Sequence, residues 1–132
     1  MIRVLALVLL LGCHTTDRKK FADSIEPAVT DLMCDVGKKA DDLPIYYRMC
    51  FDVDEPTCIA TMRPLIHTCT LQLLPQKLDE KNAADATEQI GACAGEKYEA
   101  QLAAKWRDTD TCQTARASYA KARNGTLAGS AH

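Results

Sequence analysis

Cysteine carries most of the chemistry this sequence offers, and spacing decides which kind. Six cysteines, Cys34, Cys50, Cys58, Cys69, Cys93 and Cys112, are spread along the chain, and a seventh, Cys13, closes a short apolar leader. No two stand as Cys-x-x-Cys, the spacing a zinc ribbon or a thioredoxin-like redox site requires. No Cys-x-x-Cys-His is present for covalent haem attachment either. Well-separated cysteines in a small exported chain point to structural disulfides.

The other reactive groups are scattered. Nucleophilic catalysis needs a base beside a serine, threonine or cysteine. The three histidines are His14 near the start, His132 at the end and His67 on the predicted outer face of a helix. None is placed for that task, so the expectation is a chain that is not an enzyme. Met33, Met49 and Met62 have thioethers that, with a histidine, suit Cu(I), but Met33 and Met62 sit on apolar stripes and read first as core. Asp52, Asp54 and Glu55 are acidic but lack the glycine and distal glutamate of an EF-hand loop, so helix capping is expected and calcium is not. No cofactor is expected.

These residues must be positioned by helices. The chain has 132 residues, 47% hydrophobic and only 5% aromatic, with a formal charge of −2. Alanine is frequent and glycine sparse before the tail, a helical composition. The charge argues against a nucleic-acid partner, which needs a basic face. The predicted fold class is an all-α, disulfide-stapled bundle of four to five helices with antiparallel neighbours.

The first helix is expected to start between Ser24 and Pro27, with Val29, Leu32, Met33 and Val36 as its apolar stripe and Cys34 on another side. A break at Asp42-Leu43-Pro44 precedes a short helix through Ile45 to Phe51, turning Tyr46 and Tyr47 inward. Tyr46, Tyr47 and Arg48 are residue types enriched at binding hot spots, but two inward-facing side chains make a poor site. Asp54 or Glu55 caps a third helix from Thr57 to Leu74, whose stripe is Cys58, Met62, Leu65, Ile66, Cys69 and Leu73. A fourth runs from Asp79 to Trp106, with Gly91 and Gly95 one turn apart for close packing. Trp106 is expected to seal one end of the core. The fifth passes Cys112, Ala115 and Tyr119 and stops at Asn124-Gly125.

The leader reads as a targeting signal. Met1 to Arg3 is a minimal basic region, and Val4 to Leu11 is an unbroken apolar run. That run falls well short of the roughly 20 residues a spanning helix needs. It ends in Leu10-Leu11-Gly12-Cys13, which resembles the lipobox of bacterial lipoproteins. The resemblance implies cleavage before Cys13, lipidation of its thiol, and a protein held at a membrane of the bacterial cell envelope, facing the periplasm or the exterior. It also implies a signal peptide over 1–12. The remaining partition is a polar tether over 13–22, a helical domain over 23–124 and a flexible tail over 125–132. Within the tether, Arg18-Lys19-Lys20 reads as ordinary solvated charge, with contact to anionic headgroups as the alternative. Setting Cys13 aside leaves an even six cysteines and three possible bridges.

Levels along straight antiparallel helices favour Cys34–Cys69, Cys58–Cys93 and Cys50–Cys112. The rival set is Cys34–Cys69, Cys50–Cys58 and Cys93–Cys112. Cys58 and Cys69 lie about 16 Å apart along one helix, too far to pair. The functional expectation is a non-catalytic binding or structural module of the envelope. Its partners would be the membrane, through the lipid on Cys13, and an unidentified envelope protein. The alternatives are a small-ligand or copper carrier and a periplasmic enzyme inhibitor.

Overall fold

A computed structural model of the chain describes residues 17–39 and 45–130, the side chains of 126–130 excepted. The leader, Cys13, His14, the Asp42-Leu43-Pro44 break and His132 lie outside the described residues. Those described form an all-helical bundle with α1 (Arg18–Met33), α2 (Tyr46–Met49), α3 (Glu55–Leu73), α4 (Glu80–Gln101) and α5 (Asp110–Ser130). A short 3-10 turn (Ala103–Lys105) follows α4.

Each helix start has a local cause. Asp17 accepts the Lys19 and Lys20 amides, so α1 begins before the expected Ser24–Pro27 and takes in residues 18–22 of the segment read as tether. Phe21, Ala22 and Ile25 extend its inner face towards the N-terminus. Pro27 therefore lies mid-helix, on the exposed side, where its ring meets solvent. Asp54 accepts the Thr57 amide at 2.9 Å and Pro56 takes the first turn of α3, as its sequence predicts. Asp79 and Asn82 form a reciprocal capping box on α4.

Helix ends depart further from expectation. α1 stops at Met33 because Asp35 and Gly37 take positive φ, 49° and 84°. This places Cys34 at the very end of α1, buried. α5 runs past Asn124-Gly125 to Ser130. A glycine stops a helix by adopting the left-handed conformation, and Gly125 does not adopt it.

The core is built on α3, whose Cys58, Met62, Ile66 and Cys69 are all fully buried. Against it pack Ile25, Val29 and Thr30 of α1 and Ala86, Ile90, Ala94 and Tyr98 of α4. The expected α1 stripe is correct at Val29 and half-correct at Met33, but Leu32 is 75% exposed and Val36 39%. Burial instead follows Ile25, Val29 and Thr30 to Cys34, because α1 lies between α3 and α4 rather than against one neighbour. Arg18 fastens the far end, donating to the carbonyls of Leu74 and Pro75 at 3.2 Å each.

Three disulfides staple the bundle: Cys34–Cys58, Cys50–Cys112 and Cys69–Cys93. The expected Cys50–Cys112 pair is present, while Cys34–Cys69 and Cys58–Cys93 are replaced. The error has a physical source. Residues after Cys34 do not continue a helix, so counting them as helical rise lifts Cys34 far too high. With α1 ended at Met33, Cys34 meets Cys58 in the first turn of α3. Cys69 lies four residues before the end of α3 and Cys93 thirteen residues after the start of α4. The connection through buried Leu74 and Leu78 therefore overshoots the end of α3 before α4 turns back.

Candidate functional site

The aromatic residues gather where α2 meets α4 and α5. All four tyrosines, Phe51 and Trp106 form one cluster. Tyr46 stacks on Tyr119 with centroids 4.5 Å apart and planes 17° from parallel. Tyr47 and Phe51 meet Tyr98 edge-on. Gly95 permits this: a Cβ there would strike the Tyr47 hydroxyl. Gly91, one turn earlier, has nothing within 4 Å of the corresponding point. The two glycines expected to act together thus do different work.

A polar network threads the cluster. Glu99 accepts from the Tyr46 hydroxyl and, at 2.5 Å, pairs with Arg123 Nη2, which comes from α5. Both charged side chains are 14% exposed. Tyr98 donates to the Tyr47 carbonyl at 2.6 Å. Burial, reinforced by the Glu99 charge, holds the Tyr46 and Tyr47 phenols well above their ordinary range. Tyr98 and Tyr119 are raised chiefly by burial. All four hydroxyls stay protonated at neutral pH, and those of Tyr46 and Tyr98 donate the hydrogen bonds just described.

Beside this cluster α1, α4 and α5 leave an open groove of about 550 Å³. Val29, Leu32 and Met33 line one wall, Thr87, Glu88, Gly91 and Ala92 another, and Tyr119, Ala122 and Arg123 the third. Tyr47 also faces it, and the Asp35–Lys38 ion pair, at 3.2 Å, lies by it. To a ligand the groove offers apolar area, protonated phenols, the paired charges of Asp35, Lys38 and Arg123, and the Glu88 carboxylate.

The residues singled out from sequence do not converge. His67 lies on the outer face, its Nδ1 2.6 Å from Glu26. Met62 is fully buried; Met33 and Met49 are half-buried and pack against the core. Among the described residues no three of His, Cys, Asp and Glu come together as a metal site. Arg48 binds the carbonyls of Asp35 and Lys38 at 2.8 and 2.7 Å, bracing the turn after α1. Missing from the sequence reading were Glu99, Tyr119 as a groove residue, and Arg123. The spacing Arg116-x-x-Tyr119-x-x-x-Arg123 places all three α5 side chains on one face, which was the available signal.

A family model described as the type II secretion system substrate NttA matches residues 15–106. No curated protein matches the chain, and no solved structure does. The matched span covers α1 to α4 and stops before α5. It contains both cysteines of Cys34–Cys58 and of Cys69–Cys93, but only Cys50 of the third pair. Since the match takes in most of the chain, this protein belongs to the NttA family of type II secretion substrates, proteins that work beyond the cytoplasm.

Proposed function

We propose that this protein is a non-catalytic binding module that presents the groove between α1, α4 and α5 to a macromolecular partner outside the cytoplasm. One observation carries the reading: the groove opens beside exposed Leu32, in a domain whose conformation three disulfides hold in place. An apolar side chain exposed at the rim of a concave surface is the kind of feature that marks an interaction site. A stapled domain loses little conformational freedom when it binds. The six described cysteines are oxidised and His67 is paired with Glu26 and is not among the groove's lining residues, which supports a binding role over nucleophilic chemistry. On the lipobox resemblance, a lipid on Cys13 would hold the module at a membrane of the envelope.

Photo-crosslinking tests the reading. A crosslinker at Leu32 should yield one specific adduct in the native setting, lost when Gly91→Trp fills the groove. A crosslinker at exposed Gln72 should not yield it. Identical adducts from both positions, or none from Leu32, would overturn the groove as the binding face.

A further inference from the structure

α5 is held by less than its length suggests. Of its described side chains only Cys112 is buried, and Ala115, Tyr119, Ala120 and Arg123 are half-buried; the rest face solvent. It joins the bundle by one narrow seam and one covalent bolt, Cys50–Cys112, in its first turn. Beneath the seam the rest of the bundle supplies the floor of a trough. Tyr46 supplies a ring face, Trp106 an indole face and Glu99 a carboxylate. α5 fills each place with one side chain: Tyr119 stacks on Tyr46, Arg116 lies 3.4 Å over Trp106, and Arg123 pairs with Glu99. The trough residues all belong to the span the family model matches, and the filling residues all lie beyond it.

We propose that this trough is a helix-receiving site whose resident occupant is α5. A helical segment of another protein that presents two arginines flanking an aromatic ring, in the pattern Arg-x-x-aromatic-x-x-x-Arg, displaces it. The complementarity is already visible within the chain: ring on ring, guanidinium on indole, guanidinium on a half-buried carboxylate. The Cys50–Cys112 bolt holds the first turn. Tyr119 and Arg123 lie roughly 10 and 16 Å further along the helix, so the distal part can lift while α5 stays attached. Lifting also removes one wall of the groove, but the proposal does not depend on what the groove binds.

The test uses a fluorescent peptide of residues 108–130 with Cys112→Ser. It is titrated against the intact chain and against the full chain carrying Arg116→Ala, Tyr119→Ala and Arg123→Ala, which vacates the trough and keeps the bolt. A resident helix competes at an effective concentration in the millimolar range. The vacated chain should therefore bind the peptide about tenfold tighter or more than the intact chain, with altered emission from Trp106, the only tryptophan. A peptide carrying the same three alanines should not bind. Equal affinity for both chains, or no binding by a vacated chain with unchanged circular dichroism and disulfides, would overturn the proposal. If the vacated chain does not fold, hydrogen exchange on the intact chain decides: excess wild-type peptide should speed exchange within α5, and unchanged exchange would refute displacement.

Discussion

At the scale of single residues, the glycines of α4 show how much space rather than sequence spacing decides. Gly91→Ala adds a methyl to open space in a helix interior and should stabilise by about 0.5–1 kcal/mol. Gly95→Ala drives a methyl into the buried Tyr47 ring and should destabilise by about 1–3 kcal/mol. Urea unfolding of the two variants checks both signs at once. The tyrosines give a second residue-scale prediction. Their folded-state pKa values lie above the ordinary 10.0. The folded state thus holds protons that the unfolded chain releases near pH 10. Stability is therefore complete below that pH and falls as pH rises further. Tyrosinate absorbance should climb together with loss of helical circular dichroism. A separate titration near pH 10 with helicity intact would contradict the buried cluster.

The elements were legible to different degrees, for physical reasons. The inward stripe of α3 was readable because Cys58, Met62, Ile66 and Cys69 keep one face along a helix packed by α1 and α4. The cap of α3, expected at Asp54 or Glu55, was readable because capping is local chemistry, and α4 starts where the sequence placed it, at Asp79. The end of α1 was not: it turns on positive φ at Asp35 and Gly37, and that error displaced Cys34 and with it two disulfide pairings. The groove was invisible because three helices distant in sequence build it, and α5 ran on because Gly125 kept a helical backbone. α5 also sets an element-scale prediction. Replacing Cys50 and Cys112 by serine removes the longest covalent loop, worth about 4 kcal/mol on the chain-entropy view. The loss should be uneven. Amides of residues 112–125 should exchange at least about tenfold faster while those of α3 and α4 keep their protection, as mass spectrometry of exchanged peptides would show. Uniform loss across all helices would mean that α5 is integral to the core.

At the scale of the whole molecule, a chain poor in aromatics and rich in alanine buries limited apolar area per helix, and its disulfides offset that shortfall by limiting the unfolded ensemble. The same bonds tie the protein to an oxidising location, in agreement with its membership of a family of secreted substrates. Covalent staples, aromatic cluster and groove form one arrangement, since Cys50–Cys112 fixes the helix that supplies Tyr119 and Arg123. The most direct test is non-reducing peptide mapping of the protein recovered from its producing cells and their surroundings. The structure predicts Cys34–Cys58, Cys50–Cys112 and Cys69–Cys93 with no free thiol among these six, and the lipobox reading adds an acyl-modified N-terminal peptide beginning at Cys13. Free thiols at these positions, or Cys34 joined to Cys69, would contradict the stapled fold on which every functional inference here depends.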